Sequence, residues 1–129
     1  MCMRNIVASG SAVYLFNIKH LTTTSDYFIA KYGFSIDLKR RSKEHTRLYG
    51  PSIMLVNKSL VEPRYLREAE WDLKRKFAKA EMHAGPQLLA CHNVPRGNCS
   101  RELIIVPNDA SALAWIDDIY REIEEKFMF

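Results

Sequence analysis

Tyr27-Phe28-Ile29-Ala30-Lys31-Tyr32-Gly33, running through Phe34-Ser35-Ile36 into Asp37-Leu38-Lys39-Arg40-Arg41-Ser42-Lys43-Glu44-His45, is the stretch on which the reading of this chain turns. The first part is rich in β-branched and aromatic side chains and reads as a strand that Gly33 ends. Ser35 can cap a following helix, Asp37 suits the first turn beside the helix dipole, and the helix is expected to reach about Arg47, ahead of Gly50-Pro51. Just upstream, Val13-Tyr14-Leu15-Phe16-Asn17-Ile18 has the same strand character, and the polar stretch from Lys19 to Asp26 separates the two. The pair reads as a β-hairpin with a long tip.

Further along, Ser52 to Val56 is short and apolar and reads as a third strand. Pro63 stands where prolines commonly open helices, and Leu66, Ala69, Leu73, Phe77 and Ala80 then recur at helical spacing until Gly85-Pro86. The segment from Gly85 to Ser100 is rich in turn residues and reads as a loop. Leu103-Ile104-Ile105-Val106 is a compact apolar strand. Asn108 or Asp109 can cap a last helix whose apolar stripe is Ile116, Ile119, Tyr120, Ile123 and Phe127. At 129 residues the chain has the size of one domain, with a core region over 12–82 and a closing strand and helix over 101–127.

Composition narrows the classes. Hydrophobic residues make up 47% and charged residues 26%, as in an ordinary globular domain, and no apolar run approaches the roughly 20 residues that a spanning helix needs. The segment Met1 to Gly10 lacks the apolar core of about 7–15 residues that a secretory signal carries. Cys2, Cys91 and Cys99 are odd in number and without framework spacing, which suits a reducing compartment. An intracellular protein with free thiols, held to no membrane, is the expectation. The net charge of +4 is uneven, since Lys31 to Arg47 and Lys58 to Lys79 are basic while Asp109 to Glu125 is mostly acidic. One basic face, able to attract phosphate backbones, is expected; the acidic closing helix offers a surface for a homodimer or a protein partner.

Ala12-Val13-Tyr14, Lys31-Tyr32-Gly33, the basic helix with Arg41 and His45, and Glu70 in Glu70-Trp71-Asp72-Leu73-Lys74-Arg75-Lys76-Phe77 together resemble the GIY-YIG nuclease superfamily over roughly Ala12 to Phe77. Beyond Phe77, Arg101-Glu102 before an apolar strand and a final helix resembles, more loosely, the tail of the branch found in phage and large DNA virus proteins, as does Lys31 in the second motif. The resemblance implies an α/β fold built on a small three-stranded antiparallel sheet flanked by helices, here with an extra C-terminal strand and helix. It also implies a metal-dependent endonuclease that hydrolyses DNA phosphodiester bonds with Mg2+ or Mn2+ held by Glu70. Tyr14, Lys31, Tyr32, Arg41 and His45 fall on the remaining catalytic motif positions. The chain departs from the family pattern in three places. The two motifs are spaced further apart, Lys31 stands for the second-motif tyrosine, and Lys74 stands four residues after the glutamate where a histidine is often found. Asn93 and Asn98 are the candidates for the family's late asparagine.

The residue types suit the chemistry. Magnesium is commonly held by one or two carboxylates with water and phosphate oxygens, so Glu70 suffices as a protein ligand. Arg41 offers a planar fork of donors for the charge that develops at phosphorus. His45 lies four residues on, along the same helix face, within reach of a phosphate or of Tyr14. Tyr14, with an unperturbed pKa near 10, is only about 0.1% ionised at neutral pH, so acting as a base requires a nearby cation, and Lys31 is placed to be one. Each residue also has a plain structural reading. Glu70 can pair with Arg67 or Lys74 along its helix, Tyr14 can pack in the core, and Arg41 can be solvated. His83, Cys91, His92 and Cys99 fit no standard zinc spacing, and Trp71 and Trp115 fit core or interface positions better than base stacking.

Two functions follow from this reading. One is an endonuclease of low intrinsic sequence specificity, since the chain has little room for segments that read sequence. The alternative is a catalytically inactive module on the same scaffold that binds nucleic acid or a protein partner.

Overall fold

The computed structural model describes residues 10–18, 26–49, 53–84 and 102–128. The two aromatic, β-branched runs form β1 (Ala12–Ile18) and β2 (Tyr27–Ser35), paired antiparallel with Tyr14 opposite Gly33 and Phe16 opposite Lys31. Gly33 does not end β2. The strand runs on to Ser35, whose Oγ accepts a hydrogen bond from Asp37 N at 3.0 Å and turns the chain. Asp37 is the cap rather than a first-turn residue, because its Oδ1 accepts from Arg40 N at 3.1 Å, and α1 follows over Leu38–Tyr49.

The third strand, β3 (Ile53–Leu60), is longer than expected and lies on the other side of β1, with a register irregularity opposite Leu15 and Phe16. A 3-10 turn at Pro63–Tyr65 leads into α2 (Leu66–Lys79), which buries Leu66, Ala69, Leu73 and Phe77 as its period requires. Ala80 does not belong to that stripe: it is exposed and forms the C-cap.

The closing strand corrects the expected architecture. β4 (Leu103–Pro107) is no appendage to a three-stranded sheet but its fourth strand, antiparallel to β2, in the order β3-β1-β2-β4. The last helix, α3 (Ala110–Phe127), is capped by Asp109, whose side chain accepts from Ala112 N at 2.8 Å, and it buries the whole expected stripe. The result is an α/β fold with a four-stranded antiparallel sheet and three helices among the described residues.

The two-residue period of the strands sorts the side chains onto two faces. Val13, Leu15, Phe28, Ala30 and Tyr32 join Leu73, Phe77, Ile116 and Ile123 in the main core under α2 and α3. Tyr14, Phe16, Lys31 and Gly33 take the opposite face, where the rings of Tyr14 and Phe16 meet His45 of α1. Trp71 and Trp115 are 58% and 38% exposed, so neither is a core residue of this chain. Among the described residues no helix is long and apolar enough to cross a membrane. The expected Gly85 to Ser100 loop, with Cys91, His92, Asn93, Asn98 and Cys99, lies outside the described residues, as does Cys2.

Candidate active site

Pairing of β1 with β2 sets Tyr14 directly across from Gly33, and the tyrosine ring occupies the space that a side chain there would fill. A Cβ on residue 33 would stand 2.6 Å from the Tyr14 hydroxyl and 3.3 Å from Glu102 Oε2. Glycine is therefore required by close approach, since its backbone angles are ordinary. Tyr14 is fully buried and shares a 3.0 Å hydrogen bond with His45 Nε2, the imidazole tautomer setting which group donates. The His45 ring stands edge-on to both Tyr14 and Phe16 at 5.5 Å. Burial, and then the charges of Lys31 and Arg41, push its pKa down to about 4, so the imidazole is neutral at physiological pH.

Lys31, 3% exposed, projects from β2 on the same face. A buried ammonium needs a partner, and Glu102, just ahead of β4, supplies it as an ion pair. Glu102 was not among the site residues expected from sequence. Its approach to Lys31 is a contact between residues far apart in the chain that no local pattern encodes.

Arg41, half-exposed on α1, lies 3.4 Å from Glu44 through its Nε, and its charge is felt at both His45 and Glu70. Glu70 comes from α2, across the sheet. Its carboxyl pKa is raised by burial and by Glu102, while Lys31, Lys74 and Arg41 pull it back. Glu70 makes no hydrogen bond or ion pair with any described residue, so the expected pairing with Arg67 or Lys74 along the helix does not form. The sheet explains how groups from both faces sense one another. β4 pairs with β2 only as far as Lys31, leaving the β2 edge from Tyr32 onward without a strand among the described residues. Glu102 stands at that edge.

Tyr32 points the other way, into the core against Phe77, and its hydroxyl lies 2.6 Å from His83 Nε2. Burial, then Glu102 and Glu70, hold its pKa well above the usual phenol range, so it stays protonated. The structure thus joins Tyr14 to His45 and Lys31 to Glu102 by contact, sets the two pairs beside each other over Gly33, adds Arg41 and Glu70 through their charges, and sets Tyr32 with His83 on the opposite face. His83 is a second residue that spacing did not single out for this role.

Among the described residues no three His, Cys, Asp or Glu side chains cluster as a metal-binding group. A divalent cation here would rest on few carboxylates plus water and substrate oxygens, as magnesium commonly does. Glu70 fits that use, being a half-buried carboxyl with no hydrogen bond or ion pair among the described residues, and a divalent cation beside it would add to the positive charge that Lys31, Lys74 and Arg41 bring to bear on it. Comparison of the chain with protein-family models, with curated proteins and with solved structures found no match.

Proposed function

We propose that this chain is a metal-dependent endonuclease of the GIY-YIG type, hydrolysing DNA phosphodiester bonds with low intrinsic sequence specificity. The observation that carries the reading is the Tyr14–His45 pair lying beside the Lys31–Glu102 pair over Gly33, with the charges of Lys31 and Arg41 felt at both His45 and Glu70. A Mg2+ or Mn2+ ion held by Glu70 would act as a Lewis acid toward the phosphate and stabilise the departing oxygen.

The chain's own residues then divide the remaining work. Neutral His45 can accept a hydrogen bond from the Tyr14 hydroxyl across their 3.0 Å contact and so aim the phenolic oxygen at the attacking water, while its depressed pKa keeps the imidazole from becoming the proton's final acceptor. Arg41, and Lys31 as far as its pairing with Glu102 allows, supply positive charge that favours the phosphorane-like transition state. Arg41, only half-buried, is free to turn from Glu44 toward a phosphate. Tyr32, kept protonated, orients His83 and anchors the strand.

The test is nicking of supercoiled DNA with and without magnesium. Tyr14→Phe and Arg41→Ala are expected to lower the rate by about a hundredfold or more, the range in which single acid–base and charge-stabilising groups act. Full activity in both variants contradicts the assignment. A second reading, a nucleic-acid-binding module without cleavage, is favoured by the Lys31–Glu102 pair, which already engages the ammonium. It predicts DNA binding and no magnesium-dependent nicking.

A further inference from the structure

On the α1 side of the sheet, beside Tyr14 and His45, an open cavity of about 720 Å³ is lined by Lys39, Lys43 and Lys58, with Ser42 between them and Phe16 and Leu55 at its apolar wall. Sheet register ties it to the proposed catalytic cluster. Lys58 is the β3 residue directly opposite Tyr14, and Leu55 is the one opposite Phe16, whose ring in turn meets His45. Lys39 and Lys43 reach it from α1, four residues apart and so on one helix face. None of the three lysines makes an ion pair with a described residue, whereas Arg40 and Arg41 on the same helix both lie against Glu44. Asp37, the one acid at the rim among the described residues, has a carboxyl oxygen committed to the Arg40 amide as the helix cap.

Three ammonium groups without an ion pair among the described residues, a hydroxyl and an exposed leucine around an open cleft suit a run of phosphates with an apolar sugar or base edge packed beside it. We infer that this cleft is the track for the DNA strand flanking the scissile bond, with Lys39, Lys43 and Lys58 each holding a backbone phosphate. The inference rests on the reading of the Tyr14 cluster as a phosphodiester-cleaving site, and it names where the neighbouring nucleotides lie. Phosphate contacts of this kind position the strand and read no sequence.

The experiment is a salt titration of binding to a fluorescein-labelled DNA duplex of about 16 base pairs, without divalent metal, so that binding is measured apart from cleavage. Lys39→Gln, Lys43→Gln and Lys58→Gln are combined in one variant. Arg64→Gln, Lys79→Gln and Arg121→Gln, which remove the same charge from the α2 and α3 side, form the control. The cleft variant is expected to lower the slope of log K against log salt by about 2 to 3, close to one for each phosphate that is no longer held, with the control slope unchanged. Equal slopes in wild type and cleft variant, equal reductions in both variants, or a wild-type chain that does not bind the duplex would each overturn the inference. If the cleft variant behaves as expected but the wild-type chain never nicks DNA with magnesium, the cleft stands and the nuclease reading falls. If nicking is normal and the slopes are equal, the reverse holds.

Discussion

His45 shows how one buried side chain couples stability to pH. Its imidazole titrates near 6.5 in an unfolded chain but near 4 in the fold, because burial and the cations Lys31 and Arg41 disfavour its charged form. Below pH 6.5 the unfolded chain therefore binds a proton that the folded chain refuses, so this contribution is complete above 6.5 and is lost as the pH falls toward 4. After allowance for solvent screening it amounts to about 2 kcal/mol. Glu70 acts in the opposite sense, since its raised carboxyl pKa disfavours folding at neutral pH and relaxes as the group protonates. Comparing His45→Gln with wild type in denaturant melts at pH 7 and pH 4 isolates the histidine. The wild type should lose about 2 kcal/mol more than the variant over that interval, and parallel losses would show that His45 is not held neutral. The same neutral state leaves His45 able to accept a hydrogen bond from the Tyr14 hydroxyl, so stability and the proposed orientation of Tyr14 share one cause.

At the level of elements, α3 is pinned to the sheet by Tyr120. Its hydroxyl donates to the Tyr14 backbone oxygen at 2.8 Å, while its own backbone oxygen accepts from Ser59 Oγ. Tyr120→Phe keeps the ring and deletes the fully buried hydroxyl, leaving an acceptor short of a partner. A loss of about 1–2 kcal/mol in urea unfolding is expected, with DNA nicking within a few-fold of wild type. A neutral change would mean that helix packing alone fixes α3. Elements with a clean period were legible in the sequence: the α3 stripe is buried at every expected position, and β1 and β2 follow their aromatic, β-branched runs. What was not legible depends on distant partners. Leu103-Ile104-Ile105-Val106 announces a strand, but not that it pairs with β2, because its partners Phe28 to Lys31 stand more than seventy positions earlier. Glu102 follows from the same pairing. Asp37 became the cap because β2 stays extended through Ser35, past the glycine that reads as its end. Trp71 and Trp115 escaped the core since only the helix faces of Leu73 and Ile119 turn inward.

Across the whole molecule, charge and layering divide the labour. α2 and α3 close one face of the sheet over the main core, and α1 carries on the other Lys39 and Lys43, which make no ion pair with a described residue. The edge of β2 that β4 leaves without a strand among the described residues is where groups from the two faces come within electrostatic reach. Such an arrangement would grip a phosphate backbone without reading bases, which is the physical content of the low sequence specificity proposed above. The expected resemblance to GIY-YIG nucleases rests on a meeting of Tyr14, Arg41 and Glu70 around one scissile phosphate. Glu70 is the residue of the three with no structural duty among the described contacts, so its removal separates chemistry from folding. The measurement is magnesium-dependent nicking of supercoiled DNA by Glu70→Ala beside wild type, with circular dichroism verifying the fold of both. The account predicts nicking by the wild type and a loss of about a thousandfold or more in the variant, with matching spectra and no fall in melting temperature. Equal nicking by the two proteins, or none by the folded wild type, would contradict it.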